Sequence, residues 1–84
     1  MGELMKELLN RIIVSSNVCF GNPCIRGTRI WVSLILDMMA NGMPVEDILK
    51  EYPQLTREDI FAAIAYAAEM SRERYVEMPI EKAI

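Results

Sequence analysis

Gly21-Asn22-Pro23-Cys24-Ile25-Arg26-Gly27-Thr28-Arg29-Ile30-Trp31-Val32 places two arginines symmetrically about a Gly-Thr pair, directly before the first strong helical pattern of the chain. A two-residue loop led by glycine is the pattern of a type II′ hairpin, whose first central residue takes φ > 0. With Gly27-Thr28 in that role, Arg26 and Arg29 stand opposed across the turn. Opposed like charges are unfavourable unless something lies between them. That something is either a carboxylate of this chain or of a second copy, or a phosphate or acidic partner surface gripped by two guanidinium forks. Gly27 as the site of a bulge or a simple bend is the alternative, and it uncouples the two arginines.

Upstream of this stretch, Arg11-Ile12-Ile13-Val14-Ser15 is β-branched and bounded by Ser and Asn, so it reads as a strand. Its partners are Cys24-Ile25-Arg26 and Arg29-Ile30-Trp31-Val32, giving a β-ribbon over residues 11–32. Strands this short are marginal alone, so they must lean on helices or on a second copy. Before them, residues 3–10 carry Leu4, Met5, Leu8 and Leu9 at helical spacing, enough for one short amphipathic helix or a docked lead-in.

Downstream, residues 33–41 form a helix with apolar residues around most of its circumference, stopped at Asn41-Gly42, where glycine can turn left-handed. Pro44 opens a second helix, with Glu46 and Asp47 in the favourable first turn and Val45, Ile48, Leu49 and Tyr52 on one face. Pro53 ends it. Thr56 and Asp59 form an approximate capping box for a longer helix over residues 57–74, with Ile60, Phe61, Ile64, Ala67 and Ala68 expected inward. The expectation is a single domain over residues 1–84: a β-ribbon (11–32), a trihelical bundle (33–74) and a C-terminal arm (75–84). The fold class is α+β, mostly α.

The pattern Gly21-x-Pro23-x-Ile25-Arg26-Gly27-Thr28-Arg29-Ile30-x-Val32, then Gly42, then Val45-Glu46-Asp47-Ile48-Leu49-Lys50-Glu51-Tyr52-Pro53-x-Leu55-Thr56-x-Glu58-Asp59-Ile60, resembles the small prokaryotic family called domain of unknown function 433. The likeness runs from about Arg11 to Ala68. It implies a compact, homeodomain-like helix-turn-helix protein of antitoxin type, encoded beside a nuclease-like toxin. Gly21, Pro23, Gly42, Tyr52, Pro53 and Thr56 are then the structural positions of the motif. Arg26, Gly27, Thr28, Arg29 and Arg57 are the candidates for contact with a partner or nucleic acid.

The chain has 84 residues, of which 52% are hydrophobic and seven are methionine. A domain of this size buries only about 60% of its unfolded surface, so the apolar excess points to a homodimer or an obligate partner. Methionine suits both core gaps and partner surfaces. Net charge is −3 and the pI about 4.9, the wrong field for sequence-independent DNA binding, which Lys and Arg must supply. Arg11, Arg26 and Arg29 leave room for a local basic patch.

No apolar run reaches the length of a membrane span and the N-terminus lacks an apolar signal core, so the expected compartment is the cytoplasm. There Cys19 and Cys24 are expected as free thiols, although a bridge across Asn22-Pro23 is geometrically conceivable. Two cysteines with no histidine do not make an intrachain zinc site, and no metal or cofactor is expected. Nor is catalysis: there is no histidine base, no Gly-rich phosphate loop and no nucleophile set.

Two function classes stay open. As a regulator, the chain reads DNA either with Arg57 at the start of the last helix, where Glu58 and Asp59 oppose the backbone phosphates, or with a ribbon of Arg26 and Arg29 from two copies. As an antitoxin-like module it covers a nuclease-like partner and disturbs its metal-binding carboxylates with Arg26, Arg29 or Arg74, while residues 70–84 supply apolar cover. The alternative is a homodimeric protein-binding scaffold with no nucleic-acid role. Trp31 reads as core or interface rather than as a base-stacking platform.

Overall fold

Ile12 and Ile13 pair antiparallel with Ile25 and Cys24, respectively, in the computed structural model, which describes residues 2–73. These two-residue strands, β1 (Ile12–Ile13) and β2 (Cys24–Ile25), sit among four helices: α1 (Glu3–Leu9), α2 (Val32–Ala40), α3 (Val45–Glu51) and α4 (Arg57–Glu73). The architecture is α+β and mostly α, as the periodicity predicts. The C-terminal arm assigned to residues 75–84, together with Arg74, lies outside the described residues.

Each helix boundary has a local chemical cause. At the end of α2, Gly42 takes φ +89° and donates its N–H to the Met39 carbonyl, while the Met43 N–H reaches back to Met38. This pair of bonds is a Schellman motif, and it explains why Asn41-Gly42 stops the helix. Pro44 caps α3, which places its missing N–H where no intrahelical acceptor exists. Thr56 and Asp59 form a reciprocal capping box: the Asp59 N–H donates to the Thr56 hydroxyl at 3.2 Å, and the Thr56 N–H to the Asp59 carboxylate at 3.0 Å.

The core is a four-way meeting of isoleucines. Ile25 from β2, Ile35 from α2, Ile48 from α3 and Ile60 from α4 are all essentially inaccessible to solvent. Leu55 in the α3–α4 link and Val32, Ile12 and Ile30 extend this cluster, and Met38, Met39 and Met43 pack against its edge. These methionines thus fill irregular gaps around the core.

Three expectations are corrected. Residues 29–32 do not form a third strand: Trp31 makes only an isolated bridge to Cys24, because α2 already begins at Val32. On α4 the inward side is made by Ile60, as expected, with Ala62, Ala63 and Ala65, whereas Phe61 and Ile64 are 48% and 41% exposed. Ala62 and Ala63 pack into the core cluster, and the larger side chains one position away lie partly outward beside Met5 and Leu8 of α1. Leu34, finally, faces partly outward, so α2 is buried less completely than its composition suggests.

Candidate functional site

The Arg-Gly-Thr-Arg turn differs from the hairpin expected of it. The Thr28 N–H donates to the Ile25 carbonyl at 3.0 Å, and Gly27 carries φ +85°. Glycine therefore occupies the third position of a four-residue turn begun at Ile25, the pattern of type II rather than type II′. The Ile25 N–H bonds the Ile30 carbonyl, closing the loop around residues 26–29. With this one-residue shift Arg26 sits inside the turn, at its second position, rather than opposite Arg29 across a two-residue loop.

Arg26 turns back onto its own chain. Its Nε donates to the Asn10 carbonyl at 2.9 Å, one Nη to the Ile12 carbonyl at 3.3 Å, and its backbone N–H to the Arg11 carbonyl at 2.7 Å. These acceptors follow α1 and lead into β1, so Arg26 ties the turn to the start of the ribbon. Thr28 is equally occupied: its hydroxyl donates to the Ile25 carbonyl at 2.8 Å and accepts the Ile30 N–H at 3.0 Å. Arg11 pairs at 3.1 Å with Asp59, a carboxylate only 6% exposed. Arg57 pairs at 2.7 Å with Glu46 across the α3–α4 junction, and Arg72 with Glu69 at 3.2 Å. Donation from Arg57 holds the Glu46 carboxyl below its usual range. Among the described residues, the Arg29 side chain alone of the arginines enters no such bond.

The surroundings of Arg29 are the part that the sequence did not disclose. Cys19, Phe20 and Gly21 take φ +53°, +55° and +84° in succession, one turn of left-handed helix. It is closed by bonds from the Gly21 N–H to the Val18 carbonyl and from the Asn22 N–H to the Cys19 carbonyl; the Asn22 side-chain amide adds a third bond to the latter. For a residue with a Cβ this conformation costs roughly 1–2 kcal/mol, and such strain concentrates at functional sites. Here it holds Phe20 90% exposed. A cleft of about 360 Å³ lies between Ser16, Asn17, Phe20, Arg29 and Trp31. Trp31 is also a wall of an apolar groove of about 370 Å³, bordered by Pro23, Leu36, Tyr66 and Met70. A hydrophobic residue inside the turn-rich run Ser15-Ser16-Asn17-Val18-Cys19-Phe20-Gly21-Asn22-Pro23 was the one available hint of this site.

Cys19 and Cys24 are both buried free thiols. Burial, and then a hydrogen bond and like charge from Cys19, push the Cys24 thiol up to about 11, with Arg29 pulling in the opposite direction. Among the described residues no cluster of three His, Cys, Asp or Glu side chains is placed to hold a metal ion, and no helix is long and apolar enough to cross a membrane. Gly21 and Gly42 supply positive φ, the Pro23 carbonyl accepts the Val32 N–H, and Tyr52, Pro53 and Thr56 form the α3–α4 link.

A short ribbon latched by arginine, a helical bundle with an isoleucine core and a strained aromatic turn together define a small α+β protein, mostly α. Its sequence matches the family model "Protein of unknown function (DUF433)" over residues 12–67, and the chain belongs to that family. It is similar to a DUF433 member protein from Anabaena variabilis ATCC 29413, solved by crystallography at 2.00 Å resolution. The two share 35% identity with a TM-score of 0.70, over 81% of this chain and 67% of that one. No curated protein matches the chain.

Proposed function

We propose that this protein is a non-catalytic, antitoxin-like binding module that docks on a nuclease-like partner protein through Arg29, Phe20 and Trp31. The observation that supports the reading is the Arg29 side chain, without a hydrogen-bonding or ion-pair partner among the described residues, lining one cleft with an exposed Phe20 and a half-buried Trp31. Arginine with flanking aromatics is the composition of an interface anchor, and a rigid turn presents it at little entropic cost. A guanidinium fork is suited to bidentate pairing with carboxylates, the groups with which a metal-dependent nuclease holds its ions. The adjoining groove beside Trp31 then takes an apolar segment of the same partner.

DNA readout has weaker support. The α3–α4 unit, linked through residues 52–56, has the connectivity of a helix-turn-helix. Arg57, however, is paired with Glu46 and has Glu58 beside it, so acidic side chains flank the one arginine at the start of α4 and oppose a phosphate backbone there. Arg26 is likewise spent on backbone carbonyls.

Co-expression with a nuclease-like protein, read as cell survival and as co-purification, tests the proposal. Arg29→Ala and Phe20→Asn are expected to lose rescue and capture, while Arg26→Ala retains both once matched for folded protein. Full rescue by the Arg29→Ala and Phe20→Asn double variant, or capture of DNA in place of protein with a steep salt dependence, overturns it.

A further inference from the structure

We infer that the exposed stripe of α4 is the contact between two copies of this chain, paired antiparallel about a two-fold axis. This goes beyond the proposed nuclease docking and does not depend on it. Phe61, Ile64, Ala68 and Ser71 follow one another at intervals of three and four along α4, so they share one face. The face is apolar and open: Phe61 and Ile64 are 48% and 41% exposed, and a groove of about 260 Å³ runs beside them against Met5 and Leu8 of α1.

The order of sizes along this stripe argues for a second copy as the occupant. Its large residues stand toward the N-terminal end and its small ones toward the C-terminal end. An antiparallel mate centred between Ile64 and Ala68 sets Ile64 over the partner's Ala68 and Phe61 over the partner's Ser71, so that each wide end fills a narrow one. An interface about a two-fold axis must be self-complementary in this way. Charge agrees: the same register brings Glu58 beside the partner's Arg72, twice over by symmetry. Arg72 is exposed and, among the described residues, engaged only with Glu69 one turn back in its own helix, a contact of small worth that leaves the guanidinium donors to share.

Sedimentation velocity of the full chain, from about 1 to 200 µM, reads the assembly directly. The wild type is expected to be dimeric toward the upper concentrations, and Ile64→Glu monomeric with an unchanged circular dichroism spectrum. Glu58→Arg is expected to weaken the dimer about tenfold, and Glu58→Arg with Arg72→Glu to restore it. A wild type that is monomeric throughout overturns the inference, as does a dimer untouched by Ile64→Glu. Should Ile64→Glu fail to fold, the charge-reversal set decides alone, and absence of recovery in the double variant overturns the assignment.

Discussion

Phe20 carries a local conflict: its ring gains nothing from burial, yet its backbone sits in the left-handed region at φ +55°, ψ +34°. Asparagine tolerates that conformation far better. Phe20→Asn is therefore expected to leave stability unchanged or raise it by about 0.5–1 kcal/mol in urea titration, since the relieved strain has no lost packing to offset it. The same variant is expected to lose partner capture, and this opposite movement of stability and binding is what a strained docking residue produces. Cys24 gives a second test nearby. Its thiol is raised from 9.0 to about 11 in the folded chain, so the folded state holds the proton more tightly than the unfolded state does. The resulting stability is complete below pH 9.0 and is lost as pH climbs toward 11. Alkylation of Cys24 at pH 8 is expected to be slow in the native protein and fast in denaturant. Removing Arg29, whose charge favours the thiolate, should raise the thiol pKa still further.

At the scale of elements, two polar devices join the ribbon to the helices. Asp59 caps α4 and pairs with Arg11 at the mouth of β1, so Asp59→Ala removes a buried cap and the ion pair it makes with the exposed Arg11. The expected loss is about 2–3 kcal/mol by chemical denaturation. Arg26→Ala deletes one exposed and one part-buried bond to carbonyls and should cost only about 1 kcal/mol. Comparable losses from the two variants would mean that the Asp59 pair is not the main tie. Boundaries set by chemistry adjacent in sequence were readable: Gly42, Pro44 and the Thr56/Asp59 box each mark a helix end through bonds spanning at most five residues. The Arg26 latch was not, because its acceptors lie some fifteen residues upstream and are main-chain oxygens without a sequence signature. The left-handed turn was hidden for a related reason, since nothing in Cys19 or Phe20 as residue types announces a positive φ. On α4, the assumption that the largest apolar side chains face the core put Phe61 and Ile64 inside. Instead Ala62 and Ala63 join Ile60 in the core, and Phe61 and Ile64 lie partly exposed beside α1.

For the molecule as a whole, stability rests on one isoleucine from each of β2, α2, α3 and α4. Truncating such a residue to alanine typically costs 2–5 kcal/mol, through lost transfer energy and the cavity left behind. A domain of this size holds only about 4–12 kcal/mol in total, so Ile60→Ala should remove a large share of it. At about 3 kcal/mol, the melting temperature should fall by roughly 12–24 °C. Ile64→Ala, one turn further along the same helix, should cost far less in an isolated chain, because its side chain is 41% exposed. If two copies join through that face, however, folding is linked to association, and the melting temperature of the wild type must rise with protein concentration. Ile64→Ala should then lower the melting temperature most at high concentration and converge on the wild type upon dilution. Ile60→Ala should lower it by nearly the same amount at every concentration. Parallel melting curves for wild type and Ile64→Ala across the dilution series would mean that the isoleucine core holds the fold unaided and that the outward face of α4 serves some other contact.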